Sequence, residues 1–284
     1  MRALLLLLLA VALPAGARIV EETVELQATV KNAYGKEVTH PFKVTVFRDD
    51  ARQRAPFLLL NHGRSFRPED MAKMGRVRYT DNSRYFVERG FAVFVPTRIG
   101  YGVTGGEDVE YTGNCSQRNY PAGYEAAAQQ SVVTIEYARA RPYVEPERGL
   151  AVGQSFGGAT AIALAAKNLP GLLGAVNFAR GGGGNPETQP ERPCRPDLLR
   201  EMFASYGVQA RIPTLWLYSE NDRYFGVKLP REWFDAFLAK GGAGRFVQLP
   251  PLDPALGNDG HATFTRNPPA WKPHFEAFLK ERGF

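Results

Sequence analysis

The chain has 284 residues, is 44% hydrophobic and carries a formal net charge of +6. That length suits one large domain with a well-buried core. The basic residues are scattered, with neither a Lys/Arg block nor the aromatic interleaving of single-strand binders, so no nucleic-acid partner is expected; attraction of an anionic substrate stays open.

Met1-Arg2 reads as a short positive n-region, Ala3 to Leu13 as an apolar h-region, and Ala15-Gly16-Ala17 as an A-x-A cleavage site. The apolar run is short for a bilayer span, and Arg18 rather than a cysteine follows the site. Residues 1–17 are therefore expected to be a cleaved signal peptide, with an uncleaved anchor as the rival. One domain over 18–284 would then reach the periplasm or beyond, with no stable membrane anchor. Cys115 and Cys194 are the only cysteines. An even pair in an oxidising compartment points to one disulfide, against the alternative of two free thiols.

Val24 to Ala28 and Lys43 to Phe47 alternate with period two, as half-buried antiparallel strands do, and Asn32 to Lys36 between them carries hairpin-turn chemistry. Pro56 to Leu60 is a continuous apolar run, the mark of a strand buried on both faces; it ends in Asn61-His62-Gly63-Arg64-Ser65. Asp81 to Arg89 is expected as a helix capped by Asp81 and stopped by Gly90, and Phe91 to Val95 as the next buried strand. The glycine-rich loop Arg98 to Gly106 is no dinucleotide fingerprint, because no helix opens directly after it.

A helix is expected over Pro121 to Ala140, then the short strand Leu150 to Val152 and the helix-prone run Ala159 to Lys167. Leu173 to Phe178 is a strand ending in Ala179-Arg180 and four glycines, followed by a polar, proline-rich excursion from Asn185 to Pro196. The remaining elements are a helix over Asp197 to Tyr206, a strand over Thr214 to Tyr218, a helix over Arg231 to Ala239, a strand over Arg245 to Leu249 and a closing helix from about Trp271 to Glu281. Strands alternating with helices give an α/β fold, with a mainly parallel central sheet, helices on both faces and an N-terminal antiparallel hairpin.

Between the strand at Leu150 and the helix at Ala159 lies Gly153-Gln154-Ser155-Phe156-Gly157-Gly158, a Gly-x-Ser-x-Gly pattern. A serine hydroxyl is a weak nucleophile and must stand exposed where a base can reach it. A sharp strand-to-helix turn achieves this but crowds the backbone, and glycine on either side relieves the crowding. Of four histidines, His40 is far upstream, His274 sits inside the last helix and His62 starts a backbone turn. His261, in a loop after the last strand, is the expected base. Asp222, in the turn after Thr214 to Tyr218, is the expected acid, with Glu220 the runner-up and Asp259 third. The chain order Ser, Asp, His differs from those of chymotrypsin and subtilisin.

On His62-Gly63, Arg98-Ile99-Gly100-Tyr101-Gly102, the Ser155 motif, Asp222 and Gly260-His261, nearly all of the chain after residue 17 resembles the α/β-hydrolase superfamily, closest to its dienelactone-hydrolase-like and acyl-peptidase-like members. The resemblance implies an oxyanion hole made by the backbone N–H groups of Arg64 and Phe156. The best-known dienelactone hydrolases carry cysteine where this chain has Ser155. Three functions are weighed: a secreted serine hydrolase cleaving small carboxylic esters through an acyl-enzyme, a peptidase acting on short peptides or acyl-amino acids, and a non-catalytic binding domain on the same fold. No metal or organic cofactor is expected, since no His/Cys/Asp cluster has ligand spacing. Both cysteine loops should leave the carboxyl edge of the sheet, where ligand sites form. The bridge would then hold Tyr111, Tyr120 and Arg180 near the pocket as candidate substrate contacts.

Overall fold

The computed structural model describes residues 18–284; the expected signal peptide lies outside the described residues. Strands β1 (Ile19–Lys31) and β2 (Glu37–Asp49) form an antiparallel hairpin, and β2 pairs antiparallel with β4 (Ala92–Thr97). The rest of the sheet is parallel: β3 (Ala55–Asn61), β4, β5 (Val144–Gln154), β6 (Leu172–Phe178), β7 (Thr214–Ser219) and β8 (Gly244–Leu249). Spatial order is β1-β2-β4-β3-β5-β6-β7-β8. The turn falls at Asn32–Lys36 as expected, where the Gly35 N–H donates to Asn32 O at 2.9 Å. The two hairpin strands run well beyond their alternating segments, because pairing with each other continues from Ile19↔Asp49 to Lys31↔Glu37.

Helices are α1 (Pro68–Ala72), α2 (Thr80–Glu88), α3 (Tyr120–Arg139), α4 (Phe156–Lys167), α5 (Pro196–Gln209), α6 (Lys228–Ala239), α7 (Thr263–Arg266) and α8 (Pro268–Glu281). Asp81 does not cap α2. The chain enters that helix through Tyr79 in the left-handed region (φ 45°), and Asp81 lies in the first turn, where its charge suits the helix dipole. α8 begins ahead of Trp271 because Pro268 and Pro269 fit a first turn, whose N–H groups need no partner inside the helix.

Alternate residues of the central strands feed two separate cores. Phe57, Leu59, Ala92 and Phe94 face a cluster with α3, α4, α5 and α6, while Leu58, Leu60, Val93 and Val95 face one with α2 and α8. The uninterrupted apolar runs are thus buried on both sides, as parallel strands require. No helix among the described residues is long and apolar enough to cross a membrane.

Cys115 and Cys194 are bonded, with Cα atoms 5.6 Å apart, joining the loop after β4 to the excursion after β6. The closed loop spans 79 residues in sequence. By chain-entropy arithmetic its closure contributes about 4 kcal/mol. Cys115→Ser/Cys194→Ser should lower the urea-unfolding free energy by about that amount, against no loss if the bridge constrains nothing.

Candidate active site

The elements that carry the expected residues all end at one edge of the sheet, the carboxyl edge. β3 runs into His62-Gly63-Arg64, β5 into Ser155, β6 into Ala179 and the glycine run, β7 into Asp222, and β8 toward His261.

Ser155 sits between β5 and α4 with φ 54° and ψ −122°, a conformation a side chain adopts only where its surroundings enforce it. Its N–H donates to Phe178 O at 2.8 Å, and its carbonyl accepts from Gly158 and Ala159, starting the helix. The flanking glycines are steric necessities. A Cβ on Gly153 would stand 2.1 Å from Gly157 O, and one on Gly157 would stand 2.3 Å from Asn61 O.

Asp222 is fully buried and forms the one side-chain contact that distinguishes it from its rivals. Its Oδ2 lies 3.0 Å from His261 Nδ1, while Oδ1 accepts from the Tyr224 and Phe225 N–H groups at 2.9 and 3.2 Å. Glu220 is exposed. Asp259 serves the backbone, accepting from the His261 and Arg223 N–H groups. The His261 ring stacks on Tyr224 at 4.1 Å and meets the edge of Phe225 at 5.4 Å, and its carbonyl accepts from Gln154 Nε2. Burial alone would push the imidazole pKa down, but the Asp222 carboxylate, aided by Asp259, more than offsets this and holds it above 6.5. No hydrogen bond joins Ser155 Oγ to the His261 ring among the described residues. Both line the same cavity, and such contacts commonly tighten only with substrate bound.

Beside the serine, Gly63 packs so closely that a Cβ there would stand 3.2 Å from Ser155 Cβ. The N–H groups of Arg64 and Phe156 donate to no protein acceptor among the described residues, and both residues line the cavity in front of Ser155. The turn that presents Arg64 rests on His62, which is neutral. Its Nδ1 donates to Gly63 O at 2.7 Å, its Nε2 accepts from the Arg98 N–H at 3.2 Å, and burial, with Arg98 close by, pushes its pKa well down. Arg98 in turn donates to His62 O at 2.9 Å and pairs with Glu110 at 2.5 Å, both side chains fully buried. The Tyr101 hydroxyl donates to Glu110 at 2.6 Å, and the Arg64 side chain forks onto Asp108 at 2.7 and 2.5 Å.

Two cavities meet at Ser155, of about 380 and 430 Å³, sharing Arg64, Ser155 and Tyr224 in their walls. Tyr111 lines the first. Tyr120 and Arg180 do not. The Tyr120 hydroxyl is turned inward onto Cys194 O and Gly182 O. Arg180 is fully buried with its guanidinium 3.0 Å from the Phe203 ring centre and 3.3 Å from that of Trp216, and burial draws its pKa down. Arg180 is thus a core residue and no substrate contact, because β6 ends with its side chain pointing into the α5 layer. Among the described residues no three His, Cys, Asp or Glu side chains gather in a way that could hold a metal.

The family model of the dienelactone hydrolases matches residues 75–224, more than half of the chain. The chain belongs to the dienelactone hydrolase family. It is a hydrolase of the dienelactone-hydrolase type. A cold-adapted esterase from an Arctic intertidal metagenomic library superposes with a TM-score of 0.60 at 15% identity, over 93% of this chain and 94% of its own. A dienelactone hydrolase-like promiscuous phosphotriesterase from metagenomic libraries gives 0.57 at 15%, over 91% and 98%. An acylaminoacyl peptidase from Pyrococcus horikoshii gives 0.55 at 11%, over 92% of this chain but 41% of its own. At such identities these likenesses establish the α/β-hydrolase fold. No match is found among curated proteins.

Sequence reasoning did not single out Glu110, Asp108, Tyr224 or Gln154. The acidic run Glu107-Asp108-Val109-Glu110, directly after the glycine loop of this dienelactone hydrolase relative, was the available signal for the first two. Glu110→Gln should leave Arg98 buried without its carboxylate and cost about 3–5 kcal/mol, read as an earlier urea midpoint. An unchanged midpoint would mean that the pair carries no net charge interaction.

Proposed function

We propose that the chain is a secreted serine hydrolase that cleaves small-molecule carboxylic esters through an acyl-enzyme. The observation that carries this is the buried Asp222–His261 contact beside a strained, cavity-lining Ser155. Ser155 Oγ attacks the ester carbonyl. His261 takes its proton at Nε2 and returns it to the leaving oxygen, and Asp222 fixes the tautomer and stabilises the imidazolium. The N–H groups of Arg64 and Phe156 receive the developing oxyanion, each lowering the barrier by roughly 3 kcal/mol. Water then repeats the sequence on the acyl-enzyme. Export accords with the Cys115–Cys194 bridge and with the leader-like residues 1–17. The mechanism uses no metal or organic cofactor, so turnover should survive EDTA; loss on chelation that zinc restores would overturn it.

A fluorophosphonate probe should label the protein and fail to label Ser155→Ala; equal labelling of the two would reassign the nucleophile. 4-Nitrophenyl esters assayed beside aminoacyl-anilides test ester against peptide cleavage, the ester reading expecting faster ester turnover.

The pH dependence follows from His261. Only the neutral imidazole accepts a proton, and its pKa is held above 6.5, so kcat/KM should rise with pH through a midpoint above that value. Asp222→Asn should drop kcat about ten-thousand-fold and move the midpoint down. Protonated His261 is also favoured more by the folded than by the unfolded chain. That contribution to stability is full below the ordinary value of 6.5 and is lost as pH rises through the folded pKa.

A further inference from the structure

Ser155 follows β5 and Asp222 follows β7, with β6 between them, so the histidine that serves both must bridge two strand spacings. His261 is supplied by a stretch that is irregular from residue 250 to residue 259. Most hydrogen bonds that anchor this stretch go to the acid's turn. Asn221 Oδ1 accepts from the Leu252 N–H at 2.8 Å, Asn221 O from the Gly260 N–H at 3.0 Å, and Asp259 Oδ1 from the Arg223 N–H at 3.0 Å. The Asp222–His261 contact adds to the same side. These bonds fasten the base to the acid and leave its distance from the serine unset.

One bond reaches the other way. Gln154, the residue before Ser155, donates from Nε2 to His261 O at 3.1 Å. Among the described residues no other hydrogen bond joins the segment 250–266 to residues 150–158. The amide has one possible orientation: a carbonyl oxygen only accepts, so the nitrogen faces His261 O and Oε1 is left as an acceptor. Tyr79 fills that place, its hydroxyl donating to Gln154 Oε1 at 3.0 Å. Burial pushes the Tyr79 pKa up to about 12, so the phenol keeps the proton it donates. Tyr79 is itself held. Its backbone is left-handed, its carbonyl accepts from the Ser83 N–H at 2.7 Å, and its ring meets that of Phe264 edge-on at 5.5 Å. Tyr79, Gln154, Ser155 and His261 all line one cavity.

We propose that Gln154 is a positioning residue for the reaction: its amide, oriented by Tyr79, ties the His261 backbone to the serine turn and so fixes the reach of the imidazole to Ser155 Oγ. Neither side chain handles the transferred proton. A displacement of about 1 Å between reacting groups can cost about a hundredfold in rate, and this single link spans the gap that the other anchors leave. The role rests on the serine-hydrolase reading above.

Gln154→Met keeps the length of the side chain and removes both hydrogen bonds. It should lower kcat by about tenfold or more and leave KM within about threefold of native. The pH midpoint of kcat/KM should stay where it is, because Asp222 and Asp259, the carboxylates that raise the imidazole pKa, are untouched. A loss carried by KM, or a midpoint moved down as expected of Asp222→Asn, makes Gln154 a general support of the loop and overturns the positioning role. Tyr79→Phe should lower kcat by about threefold and cost nothing further in the Gln154→Met background; losses that multiply overturn the link through Gln154. Tyr79→Phe also carries the test if Gln154→Met fails to fold, and native kcat in it then overturns the role. Fluorophosphonate labelling separates this role from the reading beneath it. Labelling of Gln154→Met about tenfold more slowly than native, at an unchanged urea midpoint, supports the role; labelling at the native rate overturns it and leaves the hydrolase reading intact. Absence of Ser155-dependent labelling in the native protein overturns both.

Discussion

The backbone of α4 lies directly against the carbonyl ends of β3, with no side chain between them, and every feature of the site depends on that contact. Gly157 sits where any Cβ would enter Asn61 O, and Gly153 where one would enter Gly157 O. The helix can therefore start at once after β5, and the residue at the junction must take a positive φ. The strain at Ser155 is held by the hydrogen bond from its N–H to Phe178 O and by the helix that its carbonyl begins. Were α4 to retreat by the width of a methyl group, Ser155 would leave the neighbourhood of Gly63 and the Arg64 amide with it.

Buried charge gives the surroundings of that junction their rigidity. Isolated charges are costly inside a protein, and the ones here are matched. Arg98 meets Glu110, Tyr101 completes the same carboxylate, and a spare Arg98 nitrogen holds the carbonyl of His62. Hydrogen bonds run from Glu110 through Arg98 and His62 to Gly63 O, the carbonyl of the peptide that carries the Arg64 N–H, so the turn after β3 has little freedom to drift. On the opposite side, Asp222 spends one oxygen on backbone N–H groups and the other on His261. Its orientation is thus settled before any substrate arrives. Arg180 is the exception: a cation between Phe203 and Trp216, stabilised by ring faces instead of a carboxylate.

Much of the fold was legible because parallel strands buried on both faces are largely apolar, as the cores of β3, β4 and β7 are and as β6 is apart from the buried Asn177. The order Ser155, Asp222, His261 was legible because each residue follows a strand at the same sheet edge. What escaped notice depended on contacts far apart in sequence. Tyr224 stacks on His261 across a separation that no local pattern encodes. The direction of a side chain at a strand end is also invisible in sequence, which is why Arg180 was expected at the cavity and lies in the core, while Arg118, in the irregular stretch beside Cys115, lies in the cavity wall. The Asp81 cap failed for a related reason: the chain enters α2 through a left-handed Tyr79, and nothing about tyrosine advertises that conformation.

The disulfide has a topological result. Residues 115 to 194 form a covalent ring that contains Ser155, the whole of α4 and the strands on either side of it. Asp222 and His261 lie outside, on the segment that leaves the ring at Cys194 and returns to pair with it through β6 and β7. A single peptide-bond cut anywhere within the ring releases nothing, because the bridge still joins both halves; a cut between 194 and 222 divides the molecule into one piece with the serine and another with the acid and the imidazole. The segment between α5 and β7 is therefore a place where one cut would part Ser155 from Asp222 and His261, and that connection is short: only residues 210–213 lie between the end of α5 and the start of β7.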